Sequence, residues 1–310
     1  MQVPGSGRLG RQARRAIESG DAIRPLPGVL MAARLESDPD AWVFANGLWR
    51  QPSVVTGRAA LRLQGLRDLK TPVVDALLPY TFPDHGLLRF HYSTSPAPLT
   101  EVREISTWGR ALVAAPAEAA LFLGAREDWE PVCAALNRGI TTAEAIRQVR
   151  ELPGRRPDAQ AMDRVVRYLS ESPWSVPELE FHELLRLVGI TGWKGNLPVL
   201  LHPTVDGRTC VKKRHPDAAF VAEKLAVEIA SLQYHNSAEA FAEDALRARW
   251  FAAEGWRQMP VTPYQLRNNP NDLLADLCSQ LYRNHRPPGL PRVRYQPTAP
   301  FWRIDGAVGR

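Results

Sequence analysis

The stretch LAVEIAS, residues 225–231, reads as a buried strand with one carboxylate at its centre, Glu228. Burying a charged carboxylate among aliphatic side chains is costly unless a partner, water or an ion takes up its charge. Any fold of this chain must therefore bring something to Glu228. Strand alternation sets Ala226, Glu228 and Ala230 on one face, and Leu225, Val227 and Ile229 on the other. On its own face Glu228 is flanked only by alanines, which leaves room for an ion or solvent. Upstream, Pro216-Asp217 opens a second apolar stretch, AAFVA. If 209–220 and 225–231 pair as a hairpin, Asp217 and Glu228 approach each other. Two carboxylates that close repel unless a cation sits between them, and hard oxygen ligands suit Mg²⁺ or Mn²⁺.

Glu178 is a candidate third ligand. It also stands three residues after Ser175, with Pro177 between them, which is the pattern of a helix-capping box with proline in the first turn. His182 shares its helix face one turn on and reads as a satisfied or surface histidine. His235 reads as a loop or helix-start histidine. Arg247, on the helix that follows LAVEIAS, is the cation available to pair with Glu228. The run Lys212-Lys213-Arg214-His215 leads straight into the Pro-Asp pair. Positive charge beside carboxylates is what a phosphate-cleaving pocket needs for its substrate to approach, and it is equally a solvated strand end.

From residue 175 onward the periodicity gives helix, strands, helix, strand, helix. The expected elements are a helix at 178–188, a polar stretch containing WKGN, and strands near 198–202, 209–220 and 225–231. A helix at 238–254, stopped by Gly255, a strand at 256–261 and a helix near 271–284 follow. The tail RPPGLPRVRYQPTAPFWR is Pro-rich and basic and reads as extended.

Ahead of this block, RLGRQARRAIES (8–19) has helical spacing of Leu9, Ala13 and Ile17, with Arg8, Arg11, Arg14 and Arg15 around the rest of the surface. AIRPLPGVLMA then alternates as two short strands about a turn at Pro27-Gly28. A basic helix followed by a hairpin is the recognition-helix-and-wing arrangement, in which the helix enters the major groove and the wing touches backbone. The helices that normally precede it are not found in the sequence, so the expectation is a truncated winged-helix-like region, with a surface-charged helix as the alternative reading. Thr56 is placed as the N-cap of a helix over 56–66. Strands are expected within 71–92; EVREI (101–105) follows, then a buried strand and small-residue helix within 111–125, and helices at 128–150 and 158–171.

The chain has 310 residues and a formal net charge of +6, a balance that suits a polyanionic partner, nucleic acid first. No apolar run approaches the roughly 20 residues a membrane helix needs. MQVPGSGRLGRQARR lacks a signal-peptide core, so no membrane partner and a cytoplasmic location are expected. Cys133, Cys210 and Cys278 have neither metal-ligand nor disulfide spacing.

The order helix-Glu178, Pro216-Asp217, then Glu228 ahead of a third position resembles the PD-(D/E)xK nuclease superfamily. More narrowly, it is similar to the very-short-patch-repair-like domains found in actinobacterial proteins. Ser175 and Glu178 before an apolar helix, Asp217 heading one strand and Glu228 in the next, His235, Asp244 and Arg247 downstream, and Gly255-Trp256 opening the last strand carry the likeness. LGRQARRAIESGDAIRPLPGVLMA, VVTGRAALRLQGL and ALVAAPAEAALFLGA resemble the winged-helix antitoxins of abortive-infection (AbiEi-like) systems, which are often fused ahead of such nuclease domains. The resemblance implies an α/β chain organised as a winged-helix-like region (1–55), an α+β antitoxin-like middle region (56–171), a restriction-endonuclease-like core with a mixed sheet (172–284) and a Pro-rich basic tail (285–310). It implies Glu178, Asp217 and Glu228 as ligands of Mg²⁺ or Mn²⁺ if the protein cleaves DNA. It implies DNA contacts through Arg8, Arg11, Arg14, Arg15, Lys212, Lys213 and Arg214, and a cognate toxin as a further partner. The chain departs from the pattern at the third catalytic position, where Ala230 replaces a Lys or an acid, and at Ser231, where glycine is usual. Lys224 shares the parity of Glu228 but lies four residues away, about 13 Å along a strand. Arg247 is the candidate migrated cation, a poor base that can still stabilise developing phosphoryl charge.

Overall fold

The computed structural model describes residues 8–49, 52–93, 100–105, 109–152, 158–205, 208–230, 238–282 and 289–306. Its chain divides into two compact units, Met1–Arg167 and Tyr168–Arg310. The whole is of α/β class with mixed sheets. Among the described residues no helix is long and apolar enough to cross a membrane, and no disulfide joins Cys133, Cys210 and Cys278.

The first unit opens with α1 (Arg8–Glu18) and the antiparallel hairpin β1 (Ala22–Leu26) and β2 (Val29–Ala32). Gly28 turns between the strands at φ 77°, a left-handed conformation that glycine adopts without a Cβ clash. Ala13 is buried while Arg11, Arg14 and Arg15 are exposed, and the side chain of Arg8 lies outside the described residues. After a short 3-10 turn (Ala33–Leu35) comes α2 (Pro39–Leu48). The Asp38 carboxylate accepts from the Asp40 backbone N–H, and Pro39 occupies the first turn.

Next are β3 (Val54–Val55), α3 (Gly57–Leu63), β4 (Val74–Leu78), β5 (Leu88–Tyr92), β6 (Thr100–Ile105) and β7 (Gly109–Ala114). These strands build a five-stranded sheet in the order β5-β4-β3-β7-β6, and β4 and β5 run parallel. The unit continues with α4 (Pro116–Gly124), α5 (Trp129–Asn137), α6 (Ala143–Glu151) and α7 (Ala159–Tyr168). Thr56 stands at the N-cap of α3, but its hydroxyl makes no cap bond. Residues 1–55 and most of the middle region read from the sequence lie in this unit, and residues 168–171 of that region fall in the second. Residues 153–157 of the linker between α6 and α7 fall outside the described residues.

The second unit runs α8 (Val176–Leu187), β8 (Trp193–Lys194), β9 (Val199–Leu201), β10 (Thr204–Val205), β11 (Arg208–Thr209), β12 (Lys212–Arg214), β13 (Ala218–Phe220), β14 (Leu225–Ile229), α9 (Ala238–Ala253), β15 (Arg257–Val261), α10 (Pro263–Asn268), α11 (Pro270–Leu281), β16 (Val293–Tyr295) and β17 (Trp302–Ile304). Four of these strands form a mixed sheet in the order β15-β14-β13-β8. β14 is antiparallel to β13 and parallel to β15. All residues from Leu225 to Val227 are buried, so β14 is covered on both faces at that end. Gly255, at φ 76°, ends α9.

Three sequence expectations change here. The single strand expected over 209–220 is broken. β12 pairs with β9 outside the main sheet, and Pro216, which has no amide hydrogen, falls in the break before β13. WKGN is not only a polar turn, since Trp193-Lys194 is a sheet strand paired with Ala219 and Phe220. The tail is not simply extended. β16 and β17 form an antiparallel hairpin, and the buried Trp302 donates its indole N–H to the Glu180 carbonyl on α8 at 2.7 Å.

Candidate functional site

Three carboxylates gather at one end of the four-stranded sheet in the second unit. Glu178 comes from the first turn of α8. The Ser175 hydroxyl accepts from its backbone N–H at 3.3 Å, so half of the expected capping box is present. The Glu178 side chain takes the other half one residue earlier, accepting from the Trp174 N–H at 2.7 Å and from Asn196 Nδ2 at 2.9 Å. Burial pushes its pKa up against the pull of these donors. Asn196, a residue singled out in the sequence only as part of WKGN, is buried at φ 49°. Its carbonyl accepts from His215 Nδ1 at 2.9 Å, and His215 lies 5.0 Å from the Trp174 ring.

Asp217 sits at the bend that leads into β13. The register Ala218↔Val227 places it opposite Glu228 when extended by one residue. Asp217 Oδ2 accepts from the Ile229 N–H at 2.5 Å, a cross-strand bond that ties the carboxylate to β14. Its carbonyl accepts from His182 Nε2 at 2.7 Å. Burial raises the Asp217 pKa well above the usual value, and the charges of Glu178 and Glu228 add to the rise. The Ile229 N–H and Arg247 oppose it. Glu228, in β14, is pushed up to about 7, first by burial. Arg247 opposes this shift, and Glu178 and Asp244 reinforce it.

His182 is fully buried against Trp193, with ring centroids 4.7 Å apart. Burial lowers its pKa to about 4, so it is neutral at pH 7 and donates through Nε2. The expectation of a satisfied histidine holds for that nitrogen, while Nδ1 has no protein partner. The sequence signal for a link to the site was its place one turn after Glu178.

The cation nearest Glu228 is Arg247 on α9. Its Nη1 lies 3.9 Å from Glu228 Oε2, while its Nη2 donates to Asp244 at 2.7 Å. This is a loose ion pair, with the better hydrogen bond going to Asp244. Ala230, two residues after Glu228, donates its backbone N–H to the Val261 carbonyl and offers only a methyl group. Neither Lys224 nor Lys213 takes its place. Lys224 lies in the turn before β14 at φ 46° and donates to the Glu254 carbonyl at 2.8 Å. Lys213 is exposed on β12, opposite Leu200. Arg214 is nearer. It reaches Glu243 at 3.8 Å, lies over Trp250 at 5.5 Å and lowers the Glu228 pKa. Ser231 and His235 fall outside the described residues.

The donor chemistry of three carboxylates suits a hard divalent ion. Their arrangement fits it only in part. Glu178 Oε2 and Asp217 Oδ2 are already committed to N–H donors. Among the described residues no group of three or more His, Cys, Asp or Glu is placed to hold a metal ion. The site as built is a cluster of acids whose pKa values are all raised, that of Glu228 to about 7, beside one loosely paired arginine. It has no side chain at Ala230 to activate a water molecule. No family model, no curated protein and no solved structure matches this chain.

Proposed function

We propose that the chain is a DNA-binding protein whose second unit is a nuclease-type core of the PD-(D/E)xK kind, degenerate at the third catalytic position and belonging to phage defence or toxin–antitoxin regulation. The observation that carries this reading is the pairing of Asp217 with Glu228. Asp217, at the bend before β13, accepts from the Ile229 N–H next to Glu228 and feels the Glu228 charge, Glu178 is held at the start of the preceding helix, and β15 lies parallel beside β14. The degeneracy rests on Ala230, on the engagement of Lys224 elsewhere, and on carboxylate oxygens bonded to N–H groups rather than open to a cation. DNA association rests on the exposed arginines of α1 and the basic strand β12 beside the carboxylates.

Titrating a labelled 30-base-pair duplex in EDTA, at several salt concentrations, tests the reading. Binding that survives chelation and weakens steeply with salt is expected. Failure to bind duplex DNA at 50 mM salt would overturn it. A second reading, an active Mg²⁺- or Mn²⁺-dependent endonuclease, is favoured by the survival of both Asp217 and Glu228 in register.

A further inference from the structure

We propose that the strands β9, β10, β11 and β12 form a basic β-ribbon that enters the major groove of duplex DNA and presents it to the carboxylate cluster. This deepens the DNA-binding reading and rests on it. The pairs Val199↔Arg214, Leu200↔Lys213 and Leu201↔Lys212 are in the same register as Thr204↔Thr209 and Val205↔Arg208. Between them the Cys210 N–H donates to the Pro203 carbonyl at 2.9 Å. The two short sheets therefore share one hairpin register, with described arms of about 20 Å.

The two faces of the ribbon differ. On the inner face Val199 and Leu201 are buried and pack with Ala226 and Phe251, which fixes the ribbon's base to the core. The outer face is exposed along its described length: Leu200, His202, Thr204, Thr209, Val211 and Lys213. Leu200 is 55% exposed and Val211 61% exposed, unusual for large aliphatic side chains on a strand pair. Arg208 and Lys212 line the rim and are also exposed. Among the described residues neither Lys212 nor Lys213 has an ion pair.

That combination fits one occupant. A two-stranded ribbon has the width the major groove admits. Lysines and arginine neutralise the flanking phosphates, threonine hydroxyls bond base edges, and aliphatic groups meet thymine methyls. A protein partner of acidic character would use the lysines but not the ribbon's fit to a groove. The ribbon's last residue, Arg214, already lies within electrostatic reach of Glu228, so a duplex seated on the ribbon runs toward the acids.

The test uses the full chain in EDTA with two probes. One is a plain 30-base-pair duplex. The other is the same duplex with glucosylated 5-hydroxymethylcytosines that fill the major groove. The variant carries Lys212→Gln and Lys213→Gln, both at exposed positions, and its thermal midpoint is checked against wild type. Loss of two phosphate contacts is expected to weaken binding about tenfold near 0.1 M salt and to lower the slope of log K against log salt by about 2. The glucosylated duplex is expected to bind wild type more weakly than the plain one. If wild type binds the plain duplex and the variant binds it equally well with an unchanged slope, the ribbon proposal is overturned while the DNA-binding reading stands. If the glucosylated duplex binds as tightly as the plain one, groove entry is overturned. If wild type binds neither duplex, the DNA-binding reading itself fails.

Discussion

Replacing Glu228 with glutamine removes an acid whose ionisation the fold resists, and the consequence can be worked from its surroundings. Burial and the neighbouring acids hold the Glu228 proton to about pH 7, compared with 4.5 for an ordinary glutamate. The folded chain therefore binds a proton that the unfolded chain releases between those two values. Stability falls as pH rises through this window and levels off above it. The window is worth about 3 kcal/mol. His182 acts oppositely. Its folded pKa of about 4 lies below the ordinary 6.5, so the unfolded chain takes up the extra proton and stability falls as pH drops from 6.5 to 4. The two effects largely offset one another in wild type, which would hide both in a single pH profile. The difference between Glu228→Gln and wild type isolates the glutamate. Measured by urea unfolding of the full chain, this difference is expected to move in the variant's favour by about 3 kcal/mol between pH 4 and pH 8. Relief of like-charge repulsion on Asp217 adds in the same direction. A difference that stays flat across the range would refute the claim that Glu228 is buried among acids with only a weak cationic partner.

Arg247→Met removes the main cation opposing that shift, so the Glu228 pKa is expected to rise further above 7. Carboxyl ¹³C titration of the variant would contradict this if the value fell or stayed fixed. Glu180 is 1% exposed and accepts from Arg267 at 2.9 and 3.1 Å and from the Tyr295 hydroxyl at 2.8 Å. Glu180→Ala leaves that hydroxyl unpaired while the partly exposed Arg267 turns to water. A loss of about 2–3 kcal/mol and faster proteolysis within 289–306 are expected; unchanged denaturation and proteolysis would show that the hairpin does not depend on this carboxylate. His182→Phe keeps a ring against Trp193 but drops the bond to the Asp217 carbonyl, so a loss of about 1–2 kcal/mol at pH 7.5 is expected. In denaturant titrations this loss shrinks toward pH 4, because the variant no longer carries the acid penalty of a buried histidine.

Much of the second unit is legible in sequence because local signals set it. Ser175 and Pro177 start α8, Gly255 ends α9, and the aliphatic run around Glu228 is a strand. In the first unit, Gly28 marks the turn between β1 and β2. What escaped depends on distant partners. β8 is only two residues long and exists because Trp193 and Lys194 pair with Phe220 and Ala219. The Pro-rich tail becomes a hairpin because Trp302 and Tyr295 find Glu180, more than a hundred residues away. α2 carried a readable start at Asp38-Pro39 that periodicity alone did not single out. Within the site, Asp217 and Glu228 could be paired from strand order, but the roles of Asn196 and His182 could not. Each depends on a turn or a helix face meeting a bend elsewhere in the chain.

The most direct test of the account is nicking of supercoiled plasmid by the purified protein, in Mg²⁺, in Mn²⁺ and in EDTA, beside Asp217→Ala. The account predicts plasmid that is bound but stays supercoiled in every condition, because no side chain at Ala230 activates water and the Glu178 and Asp217 carboxylates are bonded to N–H donors. Metal-dependent nicking by the wild type that disappears in Asp217→Ala would contradict it and establish an active nuclease.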